Sequence, residues 1–111
     1  MLHYTFLMLR LNSKKLIKES EKIAELRKEI IMDNKATEIV KEYILEHLDK
    51  SDATPEFEVY VVWKCKALQN WKWLLASTLF DGMYYELTYN GDKEEFYLDA
   101  YKKFENRCIH A

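Results

Sequence analysis

The chain has 111 residues, the size of one domain, and 49% of them are hydrophobic, so it can bury a substantial core. Its 17 basic and 19 acidic residues leave a net charge of −2, which excludes a strongly basic DNA-wrapping protein and a strongly acidic DNA mimic. Two cysteines without paired spacing argue against a disulfide scaffold or a zinc site and suit the reducing cytoplasm. No apolar run approaches the ~18 residues that a membrane span needs.

The first 31 residues read as an N-terminal extension. Its residues 13–31 have a helical pattern, but Ser20 and Arg27 interrupt the apolar stripe. Four apolar residues recur at every seventh position, as in a short coiled-coil seam: Leu9, Leu16, Ile23 and Ile30. We predict that residues 1–31 mediate self-association as a homodimer. The alternatives are that this helix packs on the chain's own sheet, or that Met32 is a natural start.

Residues 32–111 are predicted to form an α+β domain. Asp33 or Asn34 is a suitable cap for a second helix that runs to about Leu48. No Gly or Pro separates this helix from the first, so the two also read as one long helix. The apolar stripe of the second helix has amphipathic spacing and comprises Ala36, Ile39, Val40, Tyr43, Ile44, His47 and Leu48.

Alternating apolar residues between Phe57 and Leu98 predict four antiparallel strands in a meander. Asn90-Gly91 predicts a two-residue type I′ turn that pairs Leu87 with Glu94 and Tyr85 with Phe96. This register places Met83, Tyr85, Leu87, Phe96 and Leu98 on one face.

Further upstream, a three-residue loop at 68–70 would pair Ala67 with Trp71 and Trp63 with Leu75. The first strand would then have a single apolar face that comprises Phe57, Val59, Val61, Trp63, Cys65 and Ala67. Asp81-Gly82 makes the middle turn. After the meander, Asp99 is a suitable cap for a C-terminal helix from Ala100 to about Ile109. The fold class is therefore α+β, with one or two N-terminal helices, a four-stranded antiparallel meander and a C-terminal helix.

The sequence contains no phosphate-binding loop, Rossmann glycine pattern or nucleophile elbow. Its three histidines have no metal-ligand spacing, and Cys65 on the apolar face reads as a buried small hydrophobe. Glu86 and Glu95 are predicted to lie opposite each other, where paired carboxylates can do acid–base chemistry, but two solvated surface charges are the preferred reading. We expect no enzyme activity, no metal and no cofactor.

One polar sheet face carries tyrosines interleaved with lysines and is the candidate interaction surface. Such a face can stack bases and meet phosphates, as in single-strand nucleic-acid platforms. Glutamates dilute that signal, so we favour either a covering helix or a protein partner, since Tyr and Trp are enriched at protein interfaces. The candidate residues are Tyr60, Lys64, Lys66, Lys72, Tyr84, Lys93 and Tyr97.

The segments WKCKALQNWK and YYELTYNGDKEEFYLDAYKKFEN resemble a family of small proteins of unknown function from phages and prophages of Gram-positive bacteria. The resemblance covers about residues 35–109. Those relatives tend to have Pro where this chain has Phe80 and to begin near Met32. The resemblance implies a non-catalytic phage accessory protein in the bacterial host cytoplasm that binds a host protein and inhibits a defence system in the manner of an anti-CRISPR. The alternative is a single-stranded nucleic-acid-binding accessory protein.

Overall fold

The computed structural model describes residues 2–49, 51 and 53–111, with side chains from residue 8 onward except that of residue 11. One helix, α1 (Leu2–His47), precedes four strands: β1 (Val59–Ala67), β2 (Asn70–Ser77), β3 (Met83–Asn90) and β4 (Glu95–Lys102). The strands pair antiparallel in the order β1-β2-β3-β4. The predicted α+β class and the four-stranded meander are therefore confirmed.

The two predicted helices form a single helix. Asp33 and Asn34 lie inside it and do not cap a new start. Because neither Gly nor Pro interrupts the backbone here, the helical hydrogen bonds continue without a break. The Thr37 hydroxyl donates a hydrogen bond to the Asn34 carbonyl oxygen at 2.9 Å. The helix ends after His47, where Asp49 Oδ1 accepts hydrogen bonds from the backbone and hydroxyl of Ser51.

The chain divides into two compact units, one ending at Asp33 and the other spanning Asn34–Ala111. In the second unit the helix buries Ala36, Val40 and Ile44, which are spaced four residues apart and so lie on one side of the helix. Each is at most 3% exposed. This side packs on one face of the sheet, where the Tyr43 and Tyr85 rings meet edge to face with centroids 5.8 Å apart.

The pairing of β3 with β4 has the predicted faces but not the predicted register. Leu87 pairs with Leu98 and Tyr89 with Phe96, so the loop has four residues instead of two. Asn90 Oδ1 accepts hydrogen bonds from the backbone N–H groups of Asp92 and Lys93, at 3.0 and 3.2 Å. The turn that these bonds stabilise competes with the predicted type I′ turn. The shift is even, so the five apolar residues of the two strands still share one face.

The pairing of β1 with β2 differs more. The loop has two residues, with Leu68 at a φ of 57°, and Lys66 pairs with Trp71 in place of Ala67. A β-bulge between Val61 and Trp63 then changes the register within β1. As a result Val59 and Val61 lie on the helix side of the sheet, whereas Trp63, Cys65 and Ala67 lie on the opposite side. The predicted single apolar face of β1 is therefore wrong.

The face under α1, called the helix-covered face, holds the sheet's part of the core. Trp73, Leu75 and Leu87 on it are completely buried. Trp71 and Trp73, two positions apart on one strand, stack with ring centroids 5.7 Å apart. This face comprises Val59, Val61, Lys64, Lys66, Trp71, Trp73, Leu75, Ser77, Met83, Tyr85, Leu87, Tyr89, Phe96, Leu98, Ala100 and Lys102.

The predicted C-terminal helix is wrong. Asp99 and Ala100 belong to β4, and residues 103–111 are exposed without regular secondary structure. The ladder with β3 continues to Lys102, and Lys103 N still donates to the Gly82 carbonyl at 2.8 Å. A full row of ladder hydrogen bonds outweighs a short helical stripe with little apolar surface to cover. None of the helices in the described residues is long and apolar enough to cross a membrane.

Candidate interaction surface

The face of the sheet that turns away from α1 is called the open face. Strand pairing assigns its members, because directly paired residues of antiparallel strands project to the same side. The open face comprises Tyr60, Trp63, Cys65, Ala67, Asn70, Lys72, Leu74, Ala76, Tyr84, Glu86, Thr88, Asn90, Glu95, Tyr97, Asp99 and Tyr101.

Four aromatic side chains of the open face are about half exposed: Tyr60 at 48%, Trp63 at 45%, Tyr97 at 45% and Tyr101 at 52%. They come from the two outer strands, which places them on both margins of the face. Tyr84, on the inner strand β3, pairs directly with Tyr101 and joins the two margins. Large aromatic rings are thus presented to solvent on a rigid sheet, which keeps the conformational entropy cost of binding low.

Two hollows lie along this surface. One, of about 500 Å³, has an almost wholly apolar lining that includes Trp63, Cys65 and Ala67 of β1. The other, of about 400 Å³, lies where the open face meets the β2–β3 loop. Its lining includes Tyr60, Ala76 and Tyr84, which pair in one row across three strands, so that the small Ala76 separates two rings. Both hollows have the shape to receive a side chain from another molecule.

The open face is more acidic than basic. Its one lysine, Lys72, forms an ion pair with Glu86 across β2 and β3, with Nζ and Oε1 2.5 Å apart. The hydrogen bond that Lys72 donates to Glu86, followed by the charge of Glu86, raises the pKa of Lys72. Tyr97 Oη donates a hydrogen bond to Glu95, and this bond raises the pKa of Tyr97. With Asp99, the face carries three carboxylates and one ammonium group.

The structure brings together four of the seven residues of the predicted surface: Tyr60, Lys72, Tyr84 and Tyr97. The other three lie elsewhere. Lys64 and Lys66 pair with Trp73 and Trp71 and so lie on the helix-covered side, where the Lys66 ammonium is 5.2 Å from the Trp71 ring centroid. Lys93 lies in the β3–β4 loop.

Sequence reasoning missed Trp63 and Tyr101 on this surface. The sequence places Trp63 on the apolar face because the predicted β1–β2 loop is one residue too long, which reverses the sides of residues 63–67. The adjacent apolar residues Val61 and Val62, which break strict alternation, are the sequence signal for the bulge that returns Val61 to the helix side. Tyr101 was assigned to a helix. The continued alternation of Tyr97, Asp99 and Tyr101 was the sign that β4 extends this far.

The remaining candidates for site chemistry do not assemble. Glu86 pairs with Asp99, and Glu95 pairs with Asn90. The prediction that the two glutamates lie opposite each other is therefore wrong. Cys65, expected to be buried, is exposed, because the register slip moves it to the open face; it and Cys108 are free thiols. Within the described residues, His, Cys, Asp and Glu side chains form no group of three that could hold a metal ion.

The four residues of the predicted self-association seam all lie on α1 and are exposed: Leu9 at 60%, Leu16 at 63%, Ile23 at 51% and Ile30 at 59%. They belong to the first unit, whereas the residues of the open face belong to the second.

Comparison with known proteins identifies a family but no characterised relative. None of the curated proteins and none of the solved structures matches the chain. A family of unknown function, DUF6275, matches residues 33–111, which contain the end of α1 and the whole sheet. Since this match covers more than two thirds of the chain, the protein belongs to the DUF6275 family of unknown function.

Proposed function

We propose that this chain is a non-catalytic binding protein and that its open face contacts another protein. The observation that carries the proposal is the set of four half-exposed aromatic side chains on a sheet face that α1 does not cover. Tyrosine and tryptophan are the residues most enriched in the energetic centres of protein interfaces, and large exposed apolar patches usually mark contact sites. The two hollows provide positions for anchoring side chains of a partner.

The charges of the open face favour a protein partner over the single-stranded nucleic acid considered from the sequence. Nucleic-acid affinity depends on cations that neutralise phosphates. Here Lys72 is already paired with Glu86, and Glu95 and Asp99 would repel a phosphate backbone. Lys64 and Lys66, which supplied much of the expected positive charge, lie on the other side of the sheet. An acidic, aromatic face instead suits a partner surface that carries Arg or Lys.

The resemblance to phage and prophage proteins supplies the kind of partner. On that basis the proposal is a phage accessory protein that acts in the host cytoplasm by binding a bacterial protein, with a defence nuclease of the CRISPR type as the leading candidate. The resemblance alone supports this choice of partner. The exposed aromatic residues and charges of the open face support protein binding independently of it.

Capture from a bacterial lysate with matched variants tests the surface argument. We expect a partner retained by the full chain to be lost with Tyr101→Ala, because truncation of an aromatic hot-spot side chain at an interface costs at least about 2 kcal/mol, roughly a 30-fold loss of affinity. Phe104→Ala is the matched control, since Phe104 is a fully exposed aromatic residue beyond the end of β4. A partner retained equally by both variants would contradict the assignment of the open face.

Titration with single-stranded DNA and RNA tests the rival function. Trp63 is half exposed whereas Trp71 and Trp73 are buried, so quenching of tryptophan fluorescence reports mainly on the open face. We expect no quenching by oligonucleotides of about 20 nucleotides, a length that exceeds common single-strand site sizes. Salt-sensitive quenching that Tyr84→Ala abolishes would replace the protein-binding proposal by nucleic-acid binding.

A further inference from the structure

The N-terminal half of α1 has an apolar side of its own. Seven large aliphatic side chains between residues 9 and 31 are 51–64% exposed, and all but Leu26 lie on this side: Leu9, Leu16, Ile17, Ile23, Ile30 and Ile31. At 3.6 residues per turn, Leu9, Leu16, Ile23 and Ile30 drift by only about 20° per heptad and form one band along the helix. The six aliphatic residues on this side are called the helix stripe. We propose that the helix stripe binds the same stripe of a second copy of the chain, with the two helices antiparallel.

The helix stripe does not continue the buried side of the same helix. One step of four residues back from Ala36 leads to Met32, which is buried, and alternating steps of three and four residues from there lead to Glu29 and Glu25. Further steps reach Lys22 and Lys18. The positions in line with the middle of the buried side are thus charged, Leu26 is in line with its margin at Ile44, and the residues of the helix stripe lie elsewhere around the helix. A side that carries large exposed aliphatic residues over about 33 Å of helix, at 1.5 Å per residue from Leu9 to Ile31, requires an occupant of its own.

Charge along the helix identifies a second copy as that occupant and sets its direction. Residues 8–18 contain four basic and no acidic residues, whereas residues 19–33 contain five acidic and three basic residues. In a parallel dimer the basic segment would lie beside the second copy's basic segment. In an antiparallel dimer it lies beside the acidic segment, so each copy supplies the charge that the other needs.

Arg27 leads to the same direction independently. It lies in line with the helix stripe, four residues after Ile23 and three before Ile30. A parallel two-fold dimer would bring the two Arg27 guanidinium groups together in the centre of an apolar seam. In an antiparallel dimer with its two-fold axis near Ser20, the two Arg27 Cα atoms are separated by about 20 Å along the helix axis, at 1.5 Å per residue. Each Arg27 then lies beside the second copy's Ser13. This arrangement also places Leu9 beside the second copy's Ile31.

Sedimentation equilibrium of the full chain tests the association. We expect a dimer at micromolar concentration that Ile23→Glu weakens at least 100-fold. Lys22→Glu introduces the same residue one position away, outside the helix stripe, and leaves the dimer intact. Circular dichroism verifies that both variants remain folded. A monomeric wild-type chain overturns the proposal, and so does an Ile23→Glu variant that is still folded and still dimeric.

Disulfide formation tests the direction in a background in which the two free cysteines, Cys65 and Cys108, are replaced by serine. We expect Leu9→Cys and Ile31→Cys chains to cross-link when mixed, because the antiparallel arrangement brings these positions within disulfide reach. Each variant alone stays unlinked. Rapid self-linking of the Leu9→Cys chain overturns the antiparallel arrangement, because only parallel helices place position 9 beside itself.

Discussion

Replacing Gly91 by alanine should destabilise the sheet by a steric contact between its two end loops. Gly91 opens the β3–β4 loop and lies against the β1–β2 turn, and its N–H donates to Asn70 Oδ1 at 2.9 Å. A Cβ atom at residue 91 would stand 2.2 Å from the Gln69 carbonyl oxygen and 2.6 Å from Gln69 Cγ. The oxygen belongs to the backbone of a two-residue turn, so it cannot rotate away and one loop must shift.

The size of the effect follows from two opposed contributions. Forcing an extra methyl group into a filled space costs roughly 1–3 kcal/mol. Gly91 does not have a positive φ, so alanine also reduces the entropy of the unfolded chain, which stabilises by about 0.4–1 kcal/mol. The steric cost is the larger, and we expect a net loss of roughly 1–2 kcal/mol, with a fall in Tm of about 4–8 °C for each kcal/mol.

Thermal and urea unfolding followed by circular dichroism measures this loss, and Gly82 is the matched control. Gly82 has a φ of 70°, but a Cβ there would lie 3.8 Å from its nearest neighbour, the Lys103 carbonyl oxygen. Its constraint is conformational, so Gly82→Asn should be better tolerated than Gly82→Ala, because Asn adopts the left-handed region more readily. At Gly91 the constraint is steric, and Asn should be no better than Ala. A Gly91→Ala chain as stable as the wild type would refute the close approach of the two loops.

Three further predictions concern single side chains. Leu68→Gly should raise Tm by a few degrees, because Leu68 is 86% exposed and held at a φ of 57°, a strain that glycine relieves; a lower Tm would contradict this. Leu87→Ala should lower the free energy of unfolding by about 2–5 kcal/mol in urea titrations, since Leu87 is completely buried, and a loss well below that would indicate that the sheet core is loosely packed. Burial, then the charge of Asp81, raises the pKa of Tyr85 above its ordinary value of 10.0, so the unfolded chain deprotonates first and stability should fall as pH rises above 10.0; Tyr85→Phe should reduce this fall in urea unfolding at successive pH values, and an equal fall in both proteins would exclude Tyr85 as its source.

The parts of the fold that the sequence predicts well are those that depend on periodicity alone. The apolar side of residues 36–48 and the faces of β3 and β4 follow from spacings of 3.6 and 2.0, which tolerate errors in the loops. The β3–β4 register depends instead on whether Asn90 adopts a type I′ turn or bonds to the backbone ahead of it, and short-range sequence does not decide between two such local hydrogen-bonding patterns.

Four of the seven residues predicted for the candidate surface lie on the open face, because the side on which a residue lies depends on the strand register. Tyr84 and Tyr97 follow from β3 and β4, where the error was even and the faces survived. The predicted β1–β2 loop is one residue too long, and this odd error reverses the side on which each residue near the loop lies. Lys64 and Lys66 therefore lie on the helix-covered face, and Trp63 lies on the open face. A run of three apolar residues, from Val61 to Trp63, does not reveal which of them is the extra one, because the cost of a bulge depends on the neighbouring strand.

The connectivity of the sheet has a consequence for how fast it forms. Every strand pairs only with its neighbours in the chain, and the intervening loops span residues 68–69, 78–82 and 91–94. Closing loops this short costs little chain entropy, so each hairpin can form before the next and no distant segments must find each other. Proteins rich in such local contacts fold faster than sandwiches and barrels of equal size, which pair strands far apart in sequence. The same order lets β1, β2 and β3 pair during synthesis, before β4 has been made, which shortens the time for which the apolar residues of the growing sheet are exposed.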